Sequence, residues 1–197
     1  MTIVVKLGGS LLTLSGLAEK LRTVLEQRPN ERCLIVCGGG ASTDVVRGWS
    51  EIHQLNDEDS HWLALHSMQL NCELLQKLLG FRTVSCRADA DRQWSGEQSP
   101  LLLDMADFAR SEERSTTSTI PHDWSVTSDS LAAWAAIRWP ADELLLVKSI
   151  DLPTATNVEA ASQTELVDRY FPNLASSLKQ VSWCNLRACK PEVRRWL

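Results

Sequence analysis

Residues 4–12 read VVKLGGSLL: a β-branched run, a lysine, a pair of glycines, and a serine that opens a second apolar run. The stretch TIVVKL (2–7) predicts a short buried strand that stops at Gly8-Gly9. From Ser10 on, apolar residues at 11, 14, 17, 18, 21, 24 and 25 keep the helical period, which predicts a helix ending near Pro29. Strand, glycine pair, serine, helix is a geometry that suits a phosphate. Glycine lets the backbone come close, and a helix N-terminus presents free N–H groups at the positive end of its dipole. Lys6 adds a full charge two residues earlier. A tight turn beside an exposed lysine fits the same residues, and this motif alone does not decide between the two.

A second turn of the same kind follows. RCLIVC (32–37) predicts a buried strand closed by Gly38-Gly39-Gly40, and STDVVRGWSEI (42–52) reads as a helix opening on a good N-cap residue. Two helix N-termini then face one crevice. Neither turn is a Walker A loop, since GxxxxGK[ST] occurs nowhere in the chain. Neither is a dinucleotide fingerprint, because Thr43 stands where the third glycine would fall.

Further along, Ser60 is expected to cap a long helix (61–80) with Gly80 as its stop. FRTVSC (81–86) and PLLLD (100–104) predict strands, and the polar RSEERSTTST (110–119) an exposed, mobile loop. SDSLAAWAAIRW (128–139) predicts a helix ended by Pro140, and DELLLVKSID (142–151) a buried strand. A helix over 163–171, a strand QVSWC (180–184) and a terminal helix opening at Pro191 complete the pattern. Strands alternating with helices imply an α/β fold with a mainly parallel sheet covered on both faces, whose ligands bind beyond the carboxyl ends of the strands. Both glycine turns fall there.

Composition narrows the function classes. A chain of 197 residues with 44% hydrophobic and 23% charged residues can bury a sizeable core, and its net charge of −5 argues against a nucleic-acid binder held by general electrostatics. No stretch reaches the roughly 18 apolar residues of a membrane span, and MTIVVKLGGSLL lacks the pattern of a signal peptide. Six cysteines (33, 37, 72, 86, 184 and 189) form no CxxC pair and sit partly in apolar runs, which reads as reduced core thiols of a cytoplasmic protein, with disulfides or zinc as the lesser reading. His61 and His66 are five apart on one predicted helix, which is not the spacing of a metal pair; no metal-ligand set is read from the sequence.

VVKLGGSLL, VCGGGASTDVVR, VTSDSLAAWAA and LLLVKSID, in that order, resemble the amino acid kinase superfamily of aspartate, glutamate and uridylate kinases, over nearly the whole chain. The resemblance implies one acetylglutamate kinase-like domain over 1–197, a three-layer α/β/α sandwich with an acceptor-side half (about 1–125) and a shortened nucleotide-side half (about 126–197). SHWLAL, PHDWSVTSDS and LLLVKSID look, within that superfamily, like the small kinases of methanofuran biosynthesis in one-carbon metabolism. Those enzymes phosphorylate (5-(aminomethyl)furan-3-yl)methyl phosphate to the diphosphate. The resemblance therefore implies ATP with Mg²⁺ as donor, a small phosphorylated metabolite as acceptor, and neither nucleic acid nor membrane as partner. Relatives commonly use a helix pair to dimerise, so a homo-oligomer through the 60–80 helix is expected, although its apolar stripe also fits a core.

By the same resemblance Asp129 orients two catalytic lysines, Lys6 and Lys148, although some relatives place the second lysine further along. Thr127 and Ser128 line the crevice, or one of them caps the helix while Asp129 complements its dipole. Gly8, Gly9, Ser10, Gly38, Gly39 and Gly40 are assigned to the phosphates, with Ser149 and Asp151 past the last strand on the nucleotide side. Backbone N–H groups of Gly8, Gly9, Gly39 and Gly40 are expected as donors. For an acceptor bearing an ammonium, a flat ring and a phosphate, Asp44 or Asp123 suits the cation, Trp62 or Trp124 the ring, and Arg47 the phosphate. Each has a plain alternative: Trp62 in the core, Asp44 as a first-turn residue, Arg47 as a surface charge. His122 either touches substrate phosphate or packs on Trp124 as a turn residue.

Overall fold

The computed structural model describes residues 1–96, 98–115 and 119–197. Among these residues seven strands form one sheet: β1 (Thr2–Leu7), β2 (Arg32–Cys37), β3 (Arg82–Val84), β4 (Leu101–Leu103), β5 (Glu143–Lys148), β6 (Val181–Asn185) and β7 (Val193–Arg195). Their order is β3-β4-β2-β1-β5-β6-β7; the first six pair in parallel, and only the edge strand β7 runs antiparallel, against β6. Around it lie α1 (Leu17–Glu26), α2 (Gly40–His53), α3 (Asp57–Leu79), α4 (Arg87–Gly96), α5 (Met105–Ser115), α6 (Ser128–Arg138), α7 (Val158–Gln163) and α8 (Phe171–Ala175). None of these helices is long and apolar enough to cross a membrane.

Burial on both faces follows from the strand sequences. In β1, Ile3, Val5 and Leu7 enter the core layer under α1, while Val4 enters the layer that α6 covers. In β5, Leu145 and Val147 take the first side, and Leu144 and Leu146 the second. Each fully buried aliphatic side chain contributes about 1.5–3 kcal/mol, so a near-continuous apolar run is what a central parallel strand requires. Side chains alternate with period two. Lys6, two residues past Val4, and Lys148, two past Leu146, must therefore project on the same face. Register places Lys6 beside Leu146, so the lysines sit on adjacent strands one pleat repeat apart.

α6 covers that face. Ala132, Ala133, Ala135 and Ala136 are all buried, and side chains this small let the helix lie close to β1 and β5. The consequence is positional: the first turn of α6 comes down onto the carboxyl ends of the two strands.

Several expectations are corrected. Ser10 does not open a long helix: residues Gly9–Leu11 make one 3-10 turn, and α1 starts only after Gly16, whose φ of 71° breaks the helical path. Leu11 is nonetheless buried, so the apolar period reports burial rather than helix. The long helix begins a turn before the expected cap: Asn56 accepts from the Asp59 amide, and Asp57, Glu58 and Asp59 complement the dipole. Ser60 instead shares a 2.7 Å hydrogen bond with Ser50 of α2. Residues 110–115 are not a loop but the last part of α5, whose first amides, of Ala106 and Asp107, donate to Asp104. Of that expected loop, 116–118 lie outside the described residues.

A continuous helix over 163–171 is replaced by α7, a turned segment and α8. The terminal helix is replaced by β7, which pairs with the otherwise open edge of β6. The expected stripe on the long helix divides. Leu65, Met68, Cys72, Leu75 and Leu79 are core, while Leu70, Leu74 and Leu78 are exposed, as are Val45, Trp49 and Ile52 of α2. All six cysteines are free, and burial pushes the thiols of Cys33 and Cys184 up to about 11, which leaves them unreactive.

Candidate active site

The glycine turns after β1 and β2 touch. A methyl group on Gly9 would stand 2.1 Å from the Gly40 nitrogen, and one on Gly38 would stand 2.6 Å from the Gly9 nitrogen. Gly40 also has a φ of 55°. Glycine is thus required here by backbone-to-backbone contact. Two of the amides assigned to phosphates are already engaged: Gly8 N–H donates to Val147 O and Gly38 N–H to Leu7 O, each at 2.8 Å. That corrects the expectation for Gly8. Gly9 and Ser10 open the 3-10 turn and Gly39 and Gly40 open α2, and no side chain caps either start. The first N–H groups of such turns have no intrahelical partner, so two unblocked helix starts meet at one place.

α6 differs. Neither Thr127 nor Ser128 caps it. Asp168, from the turned segment between α7 and α8, accepts at 2.9 Å from Thr127 N–H, Thr127 Oγ1 and Ser130 N–H, and also binds the Ser130 hydroxyl. It accepts from Phe171 N–H at 3.0 Å as well. The α6 N-terminus is therefore closed by a carboxylate, and Asp129 is released from capping.

Asp129 faces the lysines. Its Oδ1 lies 2.8 Å from Lys6 Nζ and its Oδ2 2.7 Å from Lys148 Nζ; Lys148 Nζ also donates to Leu166 O at 2.8 Å. Lys6 and Asp129 are 3% and 5% exposed. Burial opposes charge on the Asp129 carboxyl, but Lys148 and Lys6 together outweigh it and hold the group at about 2. Burial, with Lys6 nearby, brings the Lys148 ammonium down to about 8 despite the attraction of Asp129. One carboxylate between two ammonium groups leaves a net positive charge in a desolvated place, which suits an anion.

Two cavities flank this triad. The first, of about 190 Å³, lies between α2, α3 and the segment before α6. Asp44, Arg47, Asp123, Trp124, Thr127 and Ser128 all line it, with Gly39 and Gly40 at one end. Arg47 pairs loosely with Asp44 at 3.4 Å and lies over the Trp124 ring, 4.7 Å from its centroid. Trp62 and His122 do not line it. Trp62 donates to Glu58 at 2.6 Å and lies under Arg110, in a separate groove. His122 is hydrogen-bonded to Glu58 and Glu113 and stacked on His61. Asp57, Ser60 and His61, which the sequence reading did not assign to the acceptor, do line the cavity.

The second cavity, of about 460 Å³, lies beyond β5 and β6, with Asp151, Trp183, Asn185, Lys190 and Arg194 in its walls. The triad connects the two. Ser128, in the wall of the first, immediately precedes Asp129, and Lys148 Nζ lies 5.5 Å from the ring of Trp183, in the wall of the second. Ser149 Oγ accepts from Ser10 Oγ at 3.1 Å, and Arg187 donates to Ser10 O at 3.1 Å, joining the first glycine turn to the β5 and β6 ends. Arg187 is a further cation that no local motif announces.

A parallel sheet with paired glycine turns, a buried Lys–Asp–Lys triad and a cavity on each side defines a phosphotransferase of the amino acid kinase type. The chain belongs to the amino acid kinase family, whose model matches residues 1–152. It is 25% identical over 187 residues to the [5-(aminomethyl)furan-3-yl]methyl phosphate kinase of Methanocaldococcus jannaschii, covering 89% of this chain and 83% of that protein. Solved structures with the same fold include UMP kinase from Ureaplasma parvum (TM-score 0.66, 14% identity, 97% of this chain and 92% of that one). Uridylate kinase from Archaeoglobus fulgidus is another (TM-score 0.62, 16% identity, 92% and 89%). Aspartate kinase from Synechocystis matches 92% of this chain but only 37% of its own (TM-score 0.61, 15% identity). The protein is an ATP-dependent kinase.

The Asp168 cap yields a direct test. Asp168→Ala removes four acceptor contacts from the start of α6. A lost N-cap costs about 1–2 kcal/mol. Urea denaturation is expected to show a loss of at least that size, and an unchanged midpoint would remove Asp168 from its capping role.

Proposed function

We propose that the chain transfers the γ-phosphoryl of ATP to a small phosphorylated acceptor, (5-(aminomethyl)furan-3-yl)methyl phosphate or a close analogue, in methanofuran-type cofactor biosynthesis. The observation that carries this reading is the buried triad between two cavities at the meeting point of two uncapped glycine turns. Phosphoryl transfer is mainly positioning and charge neutralisation. Lys6 and Lys148 supply the charge, Asp129 fixes their distance, and the amides of Gly9, Ser10, Gly39 and Gly40 receive phosphate oxygens. The acceptor's own phosphate is ionised near neutral pH, so the transfer needs no strong general base.

The donor belongs in the cavity beyond β5 and β6, where Lys190 and Arg194 bring positive charge. Both oxygens of Asp129 are taken by ammonium groups, and Glu192, which lines the second cavity too, is paired with Arg194 at 3.1 Å; Asp151 is then the carboxylate that would hold Mg²⁺ on that side. A Mg²⁺ held there by Asp151 would supply charge neutralisation to the phosphates. In the acceptor cavity, Asp44, Asp57 and Asp123 suit an ammonium, Trp124 and Leu65 a flat ring, and Arg47 a phosphate. Arg47 favours this reading over a kinase with a carboxylate or carbamate acceptor, and the intact triad favours it over a catalytically silent nucleotide binder. The exposed Leu70, Leu74 and Leu78 support a homodimer, which sedimentation would register as twice 22.0 kDa; a monomer would reject it.

Lys6→Ala is the cleanest variant, because Asp129 keeps Lys148 as its partner. Transfer of one electrostatic clamp out of such a site costs about 10²–10³ in kcat. ADP release from Mg-ATP in the presence of the aminomethylfuran phosphate is expected to fall by at least that factor, with nucleotide binding retained in calorimetry. Undiminished turnover would exclude the mechanism. Turnover with a carboxylate acceptor alone would redirect the assignment.

The pH profile gives a second test. A lysine held at about 8 loses its proton as pH rises through that value, so kcat is expected to fall on the alkaline side near pH 8. In Lys148→Arg, whose guanidinium stays charged, the same limb should disappear. A limb that persists in the variant assigns the titration to another group.

A further inference from the structure

Outside the lysine triad, three elements bring a second set of chemically distinctive side chains together. His61 of α3, Glu113 of α5 and His122 of the segment before α6 have ligating atoms that all lie within 4.8 Å of one another. His122 Nε2 is 2.8 Å from Glu113 Oε1, and its Nδ1 is 2.5 Å from Glu58 Oε2. The His61 ring stacks on His122 with centroids 3.9 Å apart. His61 is only 8% exposed, and its buried Nε2 has no hydrogen-bond partner among the described residues.

That orphan nitrogen is the unusual element. A buried polar atom left unpaired is destabilising, and nothing in phosphoryl transfer uses this one. We propose that His61, Glu113 and His122 form a site for a divalent transition-metal ion of the zinc type, with Glu58 as the outer carboxylate that orients His122 through its Nδ1.

The donor chemistry selects the ion. Imidazole nitrogens with one carboxylate suit Zn²⁺ and its neighbours, whereas Mg²⁺ and Ca²⁺ prefer oxygen throughout. A metal-bound histidine regularly gives its other ring nitrogen to a carboxylate, which is the contact His122 makes with Glu58. Ligands about a tetrahedral zinc, at bonds of about 2.0–2.1 Å, stand roughly 3.3 Å apart. The two rings are stacked within 8° of parallel, so the His61 ring must swing out of the stack for one ion to lie in the plane of both, as the ligating atoms close from 4.8 Å at most.

The position states the use. An ion here ties α3, α5 and residues 119–127 into one wall of the acceptor cavity, which His61, Asp123 and Trp124 line. The site is a staple that fixes the cavity wall, separate from the Mg²⁺ that accompanies the nucleotide, and it does not depend on the identity of the acceptor.

The test uses the full chain, freed of metal with a chelator and titrated with Zn²⁺ by calorimetry and with Co²⁺ by visible absorption. One ion per chain is expected, with a rise in melting temperature on saturation. His61→Ala and His122→Ala should each weaken binding by more than about 100-fold, beyond the roughly 10–100-fold of an outer-carboxylate loss, which Glu58→Gln should show. Glu58 is largely exposed, so that variant reads binding even where a histidine variant folds poorly. Cys189→Ser should bind as the parent does. Absence of stoichiometric binding, binding unchanged in Glu58→Gln and both histidine variants, or thiolate charge-transfer absorption with Co²⁺ would each overturn the site.

Discussion

The carboxylate of Asp129, buried between two ammonium groups, is the constraint on which the rest of the arrangement depends. Two lysines cannot share a desolvated space without an anion between them, and each ammonium helps to outweigh the cost of burying the Asp129 carboxylate. Each partner is set by a different part of the chain. Strand parity puts Lys6 and Lys148 on one face, the alanine-rich side of α6 brings its first turn down to them, and Asp168 closes the helix so that Asp129 is free to turn inward. The site is thus assembled from strand pleat, helix packing and capping, rather than from any single loop.

How far this was legible follows from how local each cause is. Strand cores, both glycine turns and the face of Lys6 follow from apolar runs and period-two alternation, which neighbouring residues fix between them. α6 was legible for the same reason. The 110–115 segment was not, because α5 starts from Asp104 and buries Met105, Ala106 and Phe108, while its polar end merely continues the helix. The terminal strand was hidden too: β7 exists because β6 offers an unpaired edge, which no feature of 193–195 announces. Long-range polar contacts were the least readable. Asp168 and Thr127 are 41 residues apart, and His61 and His122 meet only because α3 and the segment before α6 share a wall.

The cavity between α2, α3 and the segment before α6 shows the same division. Asp44, Arg47 and Trp124 could be nominated because helix start and turn lie beside a glycine motif. Trp62 shared their chemistry but points into another groove, since one residue past His61 turns a side chain about 100° around α3, away from the cavity that His61 lines. Residue type selects candidates, and the angular position on a helix decides among them.

The carboxylate on the α6 N-terminus has an effect beyond stability. Three helical starts converge near the triad, and each would present positive potential if left open. Asp168 cancels one of them and leaves the starts at Gly9 and Gly40 unblocked. The positive potential at this place is therefore uneven, open at the glycine turns and closed at α6. The shape of that field is set by a carboxylate at residue 168, outside the stretch 1–152 that the family model matches.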